Sequence, residues 1–85
     1  MTREEFYEKY GDVKVKFSSY HKYTFIYEAT LPDGNRLTCG YGGDDTDIYQ
    51  HEVSVDWEET VIGLQPYKGS VYGPRGNEIE SFYDY

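Results

Sequence analysis

Strict alternation between residues 23 and 31 constrains the fold more than any other feature of the chain. Every second position carries an apolar or aromatic side chain, namely Tyr23, Phe25, Tyr27, Ala29 and Leu31. This period of two predicts a β-strand that turns one face to the core. Pro32-Asp33-Gly34-Asn35 then predicts a tight turn, and residues 36–41 return as a partner strand. Residues 22–41 therefore predict a β-hairpin.

The N-terminal residues carry the pattern of a short helix. Thr2 and Glu5 have the spacing of a capping box, in which each side chain accepts a hydrogen bond from the other residue's backbone. Phe6, Tyr7 and Tyr10 follow and form one apolar stripe at helical spacing. We predict a helix over residues 2–10.

The remaining segments follow from the same kinds of pattern. They are a strand over residues 13–17, a turn over 18–21, a strand over 48–55 and a terminal hairpin whose turn covers 73–77. Residues 57–64 combine an apolar repeat at helical spacing with β-branched side chains. Either a short second helix or a continued strand is expected there.

Together these elements predict one α+β domain over residues 1–85. A short N-terminal helix packs on an antiparallel sheet of four to five strands, and the short connections predict a meander. Cys39 is the only cysteine, so an intramolecular disulfide is excluded. Neither a signal peptide nor a membrane-spanning run is visible, and we expect a cytoplasmic protein.

The residue types predict neither an enzyme nor a cofactor site. His21 and His51 lie too far apart in sequence to show the spacing of zinc ligands. The carboxylates of the loop at 44–47 lack the alternation and the glycine of an EF-hand. His51 and Glu52 are adjacent, so on a strand they face opposite sides and cannot act on one substrate atom. We expect no catalytic residue, no metal and no cofactor.

The net charge of −8 is divided unevenly along the chain. Residues 1–42 carry six acidic and six basic side chains, whereas residues 43–85 carry ten acidic and two basic ones. This excess disfavours direct binding to nucleic acid or to an anionic membrane, because phosphate would repel it. A groove of lysine and arginine would attract it. Solubility is a second explanation for a charge of this size.

The acidic residues of the second half form three clusters bordered by tyrosines. These acidic residues and two of the tyrosines are our candidate partner-binding residues. They are Asp44, Asp45, Asp47, Asp56, Glu58, Glu59, Glu78, Glu80 and Asp84, together with Tyr83 and Tyr85. Residues two apart on a strand share a face, which predicts a row formed by Glu78, Glu80 and Asp84. Exposed tyrosines among carboxylates can accept arginine through stacking and hydrogen bonds.

In length and in these acidic stretches the chain resembles the small inhibitors that phages and mobile elements direct against bacterial nucleic-acid enzymes. Anti-CRISPR proteins and DNA-mimicking anti-restriction proteins are the nearest class. The stretches that carry the resemblance are Asp44-Asp45-Thr46-Asp47, Asp56-Trp57-Glu58-Glu59 and the tail at 78–85. The resemblance implies an inhibitor that occupies the nucleic-acid channel of a CRISPR effector or similar nuclease. The neutral first half then implies docking through one side.

Two other functions stay open on the sequence. One is a general protein-interaction or regulatory module without nucleic-acid mimicry, anchored by tyrosines and Trp57. The other is a small hydrolase or ligand-binding domain, which requires a concave pocket. The arrangement of the acidic side chains in space distinguishes the inhibitor that mimics nucleic acid from both of these functions.

Overall fold

A computed structural model describes residues 1–21, 24–42 and 58–84 of the chain. The helices are α1 (Arg3–Tyr10) and α2 (Val61–Leu64). The strands are β1 (Lys14–His21), β2 (Thr24–Thr30), β3 (Arg36–Gly42), β4 (Glu58–Thr60), β5 (Lys68–Tyr72) and β6 (Glu78–Tyr83). The strand predicted over residues 48–55 lies outside the described residues.

All described strands form one antiparallel sheet in the order β4-β1-β2-β3-β5-β6. The predicted α+β class is confirmed, but the predicted count of four to five strands is wrong, since the sheet has six. Simple meander connectivity is also wrong, because β4 pairs with β1 at the far edge instead of lying beside β3. The ambiguous segment at 57–64 contains both predicted structures: β4 ends at Thr60, whose side chain then caps α2.

The predicted central hairpin is confirmed by the pairing of β2 with β3 between Thr30↔Arg36 and Thr24↔Gly42. The predicted turn over residues 18–21 is wrong, because β1 continues to His21. A β-bulge between Phe17 and Ser19 inserts one extra residue. The inserted residue lets the strand keep Tyr20 opposite Phe25 after the alternation has shifted.

The core lies on one face of the sheet, under α1. The capping box of α1 is formed, with the Glu5 backbone N–H donating to Thr2 Oγ1 at 3.1 Å and the Thr2 N–H donating to Glu5 Oε1 at 2.9 Å. The helix buries Phe6 and Tyr10 against the strands. Tyr7 ties it to the loop before β5, since its hydroxyl donates to the Pro66 carbonyl at 2.7 Å.

Gly69 on β5 is the position on which α1 rests. The Phe6 ring lies 4.6 Å from the Phe82 ring, centroid to centroid, and both rings cover the bare Cα of Gly69. A Cβ at this position would lie 2.6 Å from Phe6 Cζ and 2.9 Å from Phe82 Cε1. Real Cβ atoms do not approach other atoms this closely, so no larger residue fits here without moving α1.

We therefore expect Gly69→Ala to destabilise the domain by about 1–3 kcal/mol through overpacking. Urea unfolding followed by circular dichroism measures the change. Gly42→Ala is the matched control, since a Cβ at Gly42 meets nothing within 4 Å. Equal stability of the two variants would show that the helix does not depend on the contact between Phe6 and Gly69.

Candidate protein-binding surface

The structure separates the predicted partner-binding residues into three groups. Asp44, Asp45, Asp47, Asp56 and Tyr85 lie outside the described residues, as does Trp57. Glu80 and Asp84 contact α1, and Glu59 lies near α2. Glu58, Glu78 and Tyr83 lie on the other face of the sheet. The predicted candidates therefore do not form one surface within the part of the chain that is described.

Glu80 forms an internal anchor for α1. Its Oε1 accepts a hydrogen bond from Lys9 Nζ at 2.7 Å and another from the Tyr10 hydroxyl. These two hydrogen bonds, led by that from Lys9, lower the pKa of the Glu80 carboxyl. Asp84 contacts the same helix through Arg3, with 3.3 Å between Nη1 and Oδ2. Two acidic residues of the tail are thus paired with cations of the first half.

The predicted row of Glu78, Glu80 and Asp84 is broken by a second bulge. Glu80 pairs with the buried Val71, but the register shifts before Glu78, which pairs with Tyr72. Neighbouring strand residues point to opposite faces, so Glu78 lies away from α1 while Glu80 lies beneath it. Bulges carry no reliable mark in a single sequence, and the alternation of residues 78–84 did not reveal this one.

Charge is segregated between the two sides of the sheet. We call the side covered by α1 and α2 the helix side, and the opposite surface with its flanking turns the open face. The helix side carries seven carboxylates and two cations, a net charge of −5: Glu4, Glu5, Glu8, Asp12, Glu59, Glu80 and Asp84 with Arg3 and Lys9. The open face carries four carboxylates and five cations: Glu28, Asp33, Glu58 and Glu78 with Lys14, Lys16, Arg36, Lys68 and Arg75.

Three exposed carboxylates form a line on the helix side, which we call the acidic row: Glu4, Glu8 and Asp12. Glu4 and Glu8 are about one turn, or 6 Å, apart along the axis of α1. Asp12 follows in the turn just after the helix, where Gly11 has φ −57° and ψ −32°. Within the described residues none of the three forms an ion pair, whereas Arg3 and Lys9 are both engaged.

The acidic row is not evident when charge is summed by position along the chain. The net charge of residues 1–42 is zero, because lysines such as those of β1 cancel the helix carboxylates in the sum. The signal that could have found them is the spacing of four residues between Glu4, Glu8 and Asp12. That spacing places side chains on one face of a helix.

The open face carries a shallow groove lined by charged side chains. This groove of about 460 Å³ lies between Lys14, Lys16 and Arg36, and Glu28 and Glu58 line it as well. Lys16 Nζ lies 3.5 Å from Glu58 Oε1, and Arg36 Nη1 lies 3.9 Å from Glu28 Oε1. No three of the described His, Cys, Asp and Glu residues are close enough together to hold a metal ion.

Cys39 lies on β3 in the core. It is 2% exposed, and burial raises the pKa of its thiol to about 12. The thiol is therefore protonated at neutral pH and has little nucleophilic character.

We expect Glu80→Gln to lower the free energy of unfolding by about 1 kcal/mol at pH 7, because the variant loses a charge-assisted contact with Lys9 and Tyr10. The folded-state pKa of Glu80 lies below its ordinary value of 4.5. The stabilisation is therefore present above pH 4.5 and is lost as the pH falls through the lowered pKa. Urea unfolding of wild type and variant, measured between about pH 7 and pH 2.5, should converge at the acid end.

Glu78→Gln is the matched control for this titration, since Glu78 forms no ion pair with any described residue. Its unfolding free energy should stay within about 0.5 kcal/mol of wild type. A Glu80→Gln deficit that remains constant down to the lowest pH would contradict an electrostatic origin.

No protein-family model matches the chain, and neither a curated protein nor a solved structure matches it. Among the described helices none is long and apolar enough to cross a lipid bilayer. Of the two described surfaces, the helix side is strongly acidic and the open face is nearly neutral.

Proposed function

We propose that this protein binds a basic nucleic-acid-binding protein through its helix side and competes there with nucleic acid. The observation that carries the proposal is the acidic row of Glu4, Glu8 and Asp12. It presents three exposed carboxylates that form no ion pair with any described residue, on a helix fixed to the sheet and the turn that follows it. A CRISPR effector or a similar nuclease has the kind of basic channel that this surface suits.

The spacing of the row supports mimicry of a single phosphate backbone. Glu4 and Glu8 are about 6 Å apart along the helix axis, and Asp12 follows just beyond the helix. Successive phosphates of one nucleic-acid strand rise about 3.4 Å each and wind laterally as they rise, so their true separation is larger. Lysines and arginines spaced to hold phosphates can therefore meet successive carboxylates of the row.

The row is pre-organised because α1 is held at both ends. Phe6 and Tyr10 are buried in the core, and Arg3 and Lys9 are paired with Asp84 and Glu80. A surface that is ordered before binding loses little conformational entropy on association. The ion pairs also occupy the helix cations that would otherwise compete for the acidic row.

Helix stability does not explain Glu8 and Asp12, although the helix dipole favours Glu4 in the first turn. Glu8 lies in the last turn of α1 and Asp12 lies just beyond it, where the negative end of the helix dipole disfavours carboxylates. Glu4 and Glu8 are like charges four residues apart, which costs a few tenths of a kcal/mol. Their arrangement is better explained by attraction to a cationic partner.

The acids of residues 43–57 add to the same overall charge. That segment contains Asp44, Asp45, Asp47, Glu52 and Asp56 and no basic residue. Its carboxylates increase the long-range attraction to a basic groove wherever they lie, since charge steers association over about a Debye length.

The experiment is a capture from bacterial lysate on the immobilised protein, followed by competition. We expect nucleic-acid-binding proteins to be retained, and single-stranded DNA to release them at moderate salt. Retention should fall steeply as the salt concentration rises, because the contacts are between exposed charges. Retained proteins that DNA fails to displace would contradict mimicry.

Charge reversal tests the acidic row directly. Glu4→Lys with Glu8→Lys should weaken binding of the captured protein by at least about tenfold. Asp33→Lys with Glu78→Lys changes the net charge by the same amount on the open face and should have a much smaller effect. Equal losses would mean that net charge alone drives the binding. A larger loss from Tyr72→Ala with Tyr83→Ala would favour the tyrosine-anchored interaction module instead.

A further inference from the structure

The open face has no described element packed over it, although it spans six strands. Its exposed side chains include Lys16 and Arg36, each 60% exposed, and Tyr83, which is 59% exposed. Three neighbouring strands, β3, β5 and the edge strand β6, carry small side chains on this face, namely Thr38, Ser70 and Ser81. A broad sheet face with small side chains can approach another flat surface closely.

From this face we infer that the protein forms a symmetric dimer in which the open faces of two copies pack against each other. The charge distribution favours a second copy as the occupant. The helix side, with a net charge of −5, repels a second copy. The open face instead carries four carboxylates and five cations. It is the part of the described surface where two molecules of this charge can meet without net repulsion.

The register of the strands makes the face complementary to itself. Adjacent strands place Glu28 beside Thr38, and Thr30 beside Arg36. A two-fold axis parallel to the strands, between β2 and β3, brings Glu28 of one copy over the Thr38 position of the other. Arg36 is two residues from Thr38 on β3, about 6.6 Å away along the strand. Arg36 of each copy can therefore reach Glu28 of the other.

The same axis brings β1 of one copy over β5 of the other, so Lys16 faces the uncharged Ser70. Lys14 faces Tyr72, whose ring centroid lies 5.8 Å from the Arg36 guanidinium of its own chain.

The existing ion pairs on this face leave their cations available. The distance of 3.9 Å between Arg36 and Glu28, within one chain, lies at the limit of an ion pair. The guanidinium has five donors in a planar fork, so most of them can be given to a second carboxylate. An added contact in a less hydrated interface would shorten and strengthen this interaction.

The available area fits a weak dimer. Six strands spaced about 4.8 Å apart and about 20 Å long give a flat area of roughly 500 Å² per copy. Both copies together bury about 1,000 Å², the lower bound for specific interfaces. We expect a dissociation constant in roughly the micromolar range, with the two helix sides on the outer surfaces of the dimer.

Sedimentation velocity of the full chain between about 5 and 500 μM measures the association. We expect the mass to rise from 10.0 kDa towards twice that value. Glu28→Lys and Arg36→Glu should each raise the dissociation constant by at least about tenfold, because each places like charges across the interface. The double exchange restores opposite charges and should restore the dimer.

Glu8→Lys is the matched control for Glu28→Lys, since both raise the net charge by two but only one lies on the open face. It should leave the dimer intact or tighten it by reducing repulsion. Circular dichroism shows whether each variant is folded. A chain that stays monomeric throughout, a dimer indifferent to both single reversals, or a double exchange that fails to restore association would each overturn the inference.

Discussion

The contact of Phe6 with the bare backbone of Gly69 determines how the rest of the molecule is arranged. An eight-residue helix has little stability of its own, so α1 exists because its aromatic side chains are buried. Gly69 lets the Phe6 ring come close to β5, and Phe82 encloses the ring from β6. The Tyr7 hydroxyl and the two ion pairs to Glu80 and Asp84 then set the direction of the helix.

The orientation of α1 also decides which charges face outwards. With Phe6 and Tyr10 buried, Glu4 and Glu8 point away from the sheet and Asp12 extends their line. The cations Arg3 and Lys9 point towards β6 and are neutralised there. One packing contact thus orders the hydrophobic core and also turns a helix with mixed charges into an acidic surface.

The sequence predicted those elements whose physics is local. The period of two, the turn at 32–35 and the capping box of Thr2 with Glu5 depend on near neighbours. All three are confirmed, the period of two over the described residues 24–31. The two β-bulges and the crossing of β4 to the far edge depend on contacts between distant segments. Alternation alone could not show them. The bulge in the pairing of β5 with β6 places Glu78 on the opposite face from Glu80, so the predicted row of Glu78, Glu80 and Asp84 is not one surface.

The helix that begins the domain is closed by the strand that ends it. Phe6 lies in the first element and Phe82 in the last, and their rings touch. During synthesis Phe6 cannot be enclosed fully until Phe82, in the last described strand, has left the ribosome. The central hairpin of β2 and β3 can form earlier, since its contacts are local. The core of the domain is thus closed late, by long-range contacts of its first helix and first strand with β6 and β4.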